Sequence, residues 1–261
     1  MTTAVIRLTG IAAICCTATF WAVPLFAQSS DDETNVTNEY RLTVFPHYPI
    51  AGNLSGFGYL GWVKNPESDY TLWYAGFPGL IYTFKPWLQG WAALLAIYTD
   101  NYTNLNGKED TLELRPFVGA KLFLPNTLKW NIYDFTRLEF REVYHHDTHA
   151  WTHTERLRIR LGVEIPMTSR ENAWKVKTFY LIANTEPMYR FDKDDIDPAR
   201  VQFGLGWVMN TRIRPELLYY ANWGRVGPDN TLVFNENILR LNIKVGLNHA
   251  LLGNIWNPGH Q

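Results

Sequence analysis

Past residue 16 the chain has no cysteine: the only two in its 261 residues are Cys15 and Cys16. A disulfide framework or a thiolate-held metal centre is thereby excluded for everything that follows. Past Gln28 there is also no run of roughly 18 apolar residues, which excludes a membrane-crossing helix there. Net charge is missing too. With 24 basic and 25 acidic residues, there is no bulk electrostatic attraction to nucleic acid, and none is expected as a partner. No phosphate loop, nucleophile elbow or zinc-protease motif occurs, so the enzyme classes that are easiest to read from sequence are absent.

What is present begins with Arg7, an apolar stretch from Leu8 to Val23, and the small residue Ala27. That order predicts a secretory signal peptide over residues 1–27; an uncleaved anchor helix is the other reading of the same stretch. Residues 28–38 are polar and acidic and are expected to form a mobile mature N-terminus. Aromatic residues make up 15% of the chain, with 11 Trp and 14 Tyr. Membrane barrels place such rings in girdles at the two interfaces, whereas a soluble protein would need them for an aromatic-rich β core.

The most informative stretch is Arg156 to Ile165. As a strand it puts Arg156, Arg158, Arg160 and Glu164 on one face and Leu157, Ile159, Leu161, Val163 and Ile165 on the other. As a helix the arginines would scatter and leave no apolar stripe. A soluble sandwich also alternates, but three arginines in line suit a barrel with lipid outside and polar groups within. On this register a roomy lumen would accept an arginine at Gly162, while Leu161 faces lipid.

Ten strands follow from the same reading, at 53–63, 70–84, 87–102, 111–124, 129–144, 153–166, 174–189, 199–209, 212–224 and 234–248. A shorter strand-like piece at 39–45 is closed by Pro46 and Pro49. Tight turns at 84–86, 125–127, 168–170 and 210–211 alternate with longer polar connections at 64–69, 102–110, 145–153, 191–198 and 225–231, as in outer-membrane barrels with short periplasmic turns and longer external loops. The expected fold is all-β: an antiparallel up-and-down transmembrane β-barrel of about ten strands, within a range of eight to twelve, over residues 39–249, with a C-terminal tail at 250–261. Strands 70–84 and 87–102 resist a register because both faces are apolar. Asp134 falls on the lipid side of its strand, which suggests a bulge there.

Four segments carry a family resemblance: Arg137-Leu138-Glu139-Phe140-Arg141, Glu155 to Leu161, Tyr180 to Glu186, and Arg200 to Trp207. In this order they resemble the R-L-E-x-R, R-x-R-x-R-L, Y-L-x-x-x-N-E and R-x-x-x-G-L-G-Y strands of the bacterial family catalogued as domain of unknown function 2490. The resemblance covers roughly residues 90–248 and implies an outer-membrane barrel of no established activity. Trp207 stands where the family has Tyr. The chain ends in Asn257-Pro258-Gly259-His260-Gln261, in place of the terminal aromatic common in outer-membrane proteins.

The inward face on this reading gathers Arg115, Arg137, Arg141, Arg156, Arg158, Arg160, Arg200, Arg212, Arg214 and Arg240 with Lys121 and Lys244. Opposite them come Glu113, Glu139, Glu164, Asn184, Glu186, Glu216 and Glu236. Arginine and carboxylate pair as forks, so this lumen is either a plug of ion pairs or a pore. In a pore the surplus of base favours small anionic solutes. The expected role is a channel or structural envelope protein of the cell outer membrane, whose partners are outer-membrane lipids and the assembly machinery; no cofactor is expected. The alternative is an outer-membrane hydrolase on the external loops. His145, His146, His149 and His153 could hold a metal, or Asp192-Lys193-Asp194 and Asp147-Thr148-His149 could act as omptin-like acid and histidine pairs.

Overall fold

The computed structural model describes residues 36–67, 70–104, 107–226, 231–247 and 252. The leader at 1–27, most of the stretch at 28–38, and all of the tail at 250–261 except Leu252 lie outside the described residues.

Eleven strands close into one barrel: β1 Thr37–Ala51, β2 Leu54–Asn65, β3 Tyr70–Lys85, β4 Leu88–Asn104, β5 Gly107–Leu124, β6 Asn131–His145, β7 Ala150–Pro166, β8 Phe179–Arg190, β9 Asp195–Trp207, β10 Ile213–Val226 and β11 Thr231–Gly246. Every chain neighbour pairs antiparallel. The barrel shuts where β1 meets β11, and that pair is parallel, from Thr37–Glu236 to His47–Gly246.

The additional strand is β1. The piece read as 39–45 continues through both prolines. Pro46 falls between the pairs Val44–Leu60 and His47–Phe57, and Pro49 stands at the register irregularity beside the turn, a site where a strand tolerates proline. Gly52 turns the chain with φ of 50°, a conformation glycine adopts without steric cost. With eleven strands instead of ten, the first and last run in the same direction, so the seam cannot be antiparallel.

The connection at 66–69 is longer than that at 86–87, as expected, but from β4 on the order of connection lengths is reversed. Two of the polar segments taken for long loops, 102–110 and 145–153, are mostly strand, so β6 runs to His145 and β7 resumes at Ala150. The longest connection, 167–178, is on the opposite rim and contains a single 3-10 turn at Arg170–Asn172. Polarity marked residues that lie beyond the apolar outer band without leaving the sheet. On the outer face between Glu142 and Glu155 the large apolar residues are the rings Tyr144 and Trp151. Further down the same strand come Leu157, Ile159 and Leu161.

Alternation sorts the faces as the central strand predicts. Val118, Leu122, Ile159, Leu161, Phe203, Leu205, Leu217, Leu239 and Leu241 are exposed on the outside. Strands β3 and β4 gave no register because their inner face is apolar as well. Phe57, Ile81, Trp91, Ala93, Phe117, Phe123, Tyr133 and Phe135 form one buried cluster, against which Tyr59 and Leu95 pack. A second, on the opposite side, contains Tyr180, Ile182, Val208, Leu218, Tyr220 and Ile238.

Asp134 faces outward with no bulge, since β6 pairs with β5 and β7 in unbroken register there. It is half-buried and accepts a hydrogen bond from the Thr136 hydroxyl at 2.9 Å. Gly162 is not spare room. It pairs with Tyr133 across the sheet, and a Cβ there would come 2.5 Å from the ring. Tyr180 covers its cross-strand partner Gly206 in the same way.

Candidate functional site

The sheet register stacks the charges of β6, β7 and β8 into a layer. Glu139 is directly opposite Arg156, and Arg137 is opposite Arg158. Two guanidinium groups facing one another would repel, so the layer holds only because carboxylates reach between them. Glu139 is fully buried; it accepts hydrogen bonds from Arg156 Nε at 2.5 Å and Arg158 Nη1 at 2.9 Å and has Arg137 Nε at 2.7 Å as an ion-pair contact. Glu186, 1% exposed, takes Arg158 through Nε at 3.1 Å and Nη2 at 2.8 Å, and Arg160 Nη2 at 3.0 Å. Arg137 and Arg200 stand further off, at 3.9 and 4.0 Å. Such forks satisfy geometry and charge together.

Smaller groups flank this layer. Toward one rim Glu113 joins Arg115 Nε at 2.5 Å and Arg141 Nε at 2.7 Å. Toward the other, Glu216 accepts from Tyr180 OH at 2.7 Å and from Asn242 Nδ2 at 3.4 Å, and pairs with Lys244. Glu164 accepts from Asn131 Nδ2 at 2.8 Å. Lys121 lies over the rings of Tyr133 and Phe123, at 4.2 and 4.7 Å, a cation–π arrangement.

Beside the central layer is a cavity of about 320 Å³. Ten cations line it: Arg41, Arg115, Lys121, Arg137, Arg156, Arg158, Arg160, Arg200, Arg240 and Lys244; the lining carboxylates are Glu139, Glu164 and Glu216. Asn184 is on the wall too, and Arg214 is buried on β10. The structure thus brings together the predicted lumen residues with one correction. Arg212 precedes the first residue of β10 and is exposed in the β9–β10 connection, because alternation stops deciding a side chain's face where the strand ends.

The reading from sequence missed the contribution of β1. Glu39, Arg41, Thr43, Phe45 and His47 point inward. Arg41 pairs with Glu39, which also accepts from Tyr70 OH. The signal was present as alternation with Tyr40, Leu42 and Val44, but the prolines masked it.

The histidines do not converge. His145 Nδ1 meets Glu109 at 2.7 Å, His149 Nδ1 meets Tyr144 OH at 3.0 Å, and His153 Nδ1 meets Glu142 at 2.7 Å. His146 stands edge-on to Tyr144. Among the described residues no three His, Cys, Asp or Glu side chains are grouped to hold a metal ion. Hydrogen bonds to Glu142 and then Glu155 raise the His153 pKa. Asp192, in the β8–β9 turn, is lowered by its hydrogen bond from Arg190, and Asp194 accepts from Tyr189. Asp192 and Asp194 of the omptin-like reading are therefore already engaged by neighbours on their own hairpin.

The family described as "Protein of unknown function (DUF2490)" matches residues 38–233, from β1 into the start of β11. No curated protein matches the chain.

Proposed function

The chain belongs to the DUF2490 family, and from that premise we propose that it is an outer-membrane barrel whose cationic lumen admits small anionic solutes past a constriction of ion pairs. The outer face supports the membrane reading. Leu, Ile, Val and Phe side chains are exposed around the sheet, and water would not leave so much hydrocarbon uncovered on a monomer. Lipid is the environment in which an apolar exterior and an ionic interior are both stable. A signal peptide over residues 1–27 belongs to the same proposal.

The observation that carries the anion preference is the cavity wall, with ten cations to three carboxylates. Rings of Arg and Lys favour anions in pores. Eleven strands fall between small barrels filled by side chains and the 16–18-stranded porins that leave a channel. That agrees with a buried central layer beside an open chamber.

The test is single-channel recording of the refolded protein in a planar bilayer under a salt gradient. Discrete steps with a reversal potential favouring anions support the proposal. Silence, or cation preference, removes the transport role and leaves a structural barrel.

A further inference from the structure

The chamber has two chemically different walls. On β2, β3 and β4 it is lined by Val63, Leu72, Leu95 and Ile97, with the rings of Tyr59 and Trp91. Next to these along the sheet, β1 and β11 contribute Arg41 and Arg240, and β9, across the barrel, contributes Arg200. A passage for hydrated ions gains nothing from a hydrocarbon wall, because apolar surface in contact with water is unfavourable. An apolar lining with a few convergent polar groups is how small-molecule sites are built, and the volume is near the lower end of their range of roughly 300–1,000 Å³.

The arginines of the chamber are not equally neutralised. Arg137, Arg156, Arg158 and Arg160 each have a glutamate oxygen within 3.0 Å. For Arg200 the ion-pair contact is Glu186 at 4.0 Å, a carboxylate shared with Arg137, Arg158 and Arg160, and Glu236 is within electrostatic reach. Arg240 donates to the hydroxyls of Thr43 at 3.1 Å and Tyr220 at 3.3 Å, and lies 5.6 Å from the centre of the Phe45 ring. Those groups orient a guanidinium without cancelling its charge. Arg41 is within electrostatic reach of both and adds repulsion. A buried cation whose counter-charge is shared or distant is incompletely compensated, so an anion placed here relieves a cost that the protein alone leaves standing.

We infer that the chamber binds an organic carboxylate with an apolar body, its head against Arg200 and Arg240 and its body along Leu72, Leu95 and Ile97. A guanidinium matches a carboxylate as a planar two-pronged donor, and the apolar lining selects for hydrocarbon. The inference rests on the proposal that anions enter the lumen, and it narrows them to one class.

Three probes separate charge from body: 3-phenylpropanoate, the uncharged 3-phenylpropan-1-ol, and inorganic phosphate. Each is titrated calorimetrically into the full chain in lipid nanodiscs, with empty discs as the reference. The phenylpropanoate should bind roughly tenfold or more tightly than either of the others, a difference of about 1.4 kcal/mol. Arg240→Gln and, separately, Arg200→Gln should each weaken it by at least about fivefold. Arg190→Gln, at the exposed rim, should leave it unchanged. Leu95→Asn should weaken the phenylpropanoate and not phosphate.

Equal affinity for phosphate would overturn the inference in favour of a simple anion site, and equal affinity for the alcohol would overturn it in favour of a grease pocket. Two independently purified arginine variants guard against the misfolding of one. Anion-selective conductance without a phenylpropanoate preference would overturn this inference alone. Tight phenylpropanoate binding in a silent barrel would overturn the transport proposal and support the site.

Discussion

Arg158 and Glu186 are joined by two parallel hydrogen bonds, Nε to Oε1 at 3.1 Å and Nη2 to Oε2 at 2.8 Å, across the β7–β8 step. Arg158 also reaches Glu139, so one guanidinium ties two buried carboxylates together. The lumen around this pair is richer in cations than in anions, and that imbalance makes the two partners unequal.

Removing the acid should therefore cost more than removing the base. Glu186→Gln strands Arg160 without its counter-charge and leaves Arg158 with Glu139 alone, a loss of about 3–5 kcal/mol. Arg158→Met leaves Glu139 with Arg137 and Arg156, leaves Glu186 with Arg160, and lowers the surplus of positive charge. Urea midpoints of the refolded variants should fall in the order wild type, Arg158→Met, Glu186→Gln. The reverse order would mean that the lumen is not overloaded with positive charge.

At Gly162 the constraint is the ring above it. Gly162→Ala should destabilise the barrel by about 1–3 kcal/mol, the usual cost of forcing extra volume into a packed site. In the background of Tyr133→Leu the same change should cost measurably less, because the clashing atoms are gone. A double-mutant cycle with no coupling would show that Tyr133 does not set the requirement.

On the outer face, Leu161→Arg places a charge where lipid is proposed and should cost about 2–4 kcal/mol of barrel stability. Leu161→Phe, which keeps the face apolar, should assemble like wild type. Equal refolding yields of Leu161→Arg and wild type in lipid vesicles would count against burial of this face in a bilayer.

The pH response of the rim follows from His153. Its folded pKa is raised by Glu142 and Glu155, so protonated His153 favours the folded hairpin. That contribution is complete below the ordinary histidine value of about 6.5 and disappears as pH rises through the higher folded value. Histidine NMR titration should show His153 moving back toward the ordinary value in Glu142→Gln. An identical titration in both proteins would rule out the Glu142 contact in solution.

How much of this was readable from sequence depended on whether one face of a strand was ionic. β7 announced itself because Arg156, Arg158 and Arg160 alternate with Leu157, Ile159 and Leu161, and the structure keeps that register. Along β3 and β4 the inner residues Leu72, Ile81, Trp91, Leu95 and Ile97 are as apolar as the outer ones, so periodicity had nothing to contrast. The hairpin tips were mistaken for loops because polarity reports the surrounding solvent, not hydrogen bonding, and β6 and β7 keep their ladder as far as the pair His145–Ala150. Arg212 shared the phase of Arg214 but stands outside the strand. Gly162 looked like empty space because the ring that fills it comes from another strand.

The parallel seam between β1 and β11 has a consequence for the order of assembly. The first strand synthesised must wait for the last, so the contacts most distant along the chain complete the sheet, and such contacts form slowly. Until they form, Thr37 to His47 present an open edge of N–H and C=O groups. In a bilayer each such unsatisfied group costs several kcal/mol, and in water the same edge invites pairing with another chain. On the proposed membrane reading, closure and entry into the bilayer must therefore coincide, and a partner that shields the β1 edge in the interval would speed assembly without contributing anything to the finished barrel.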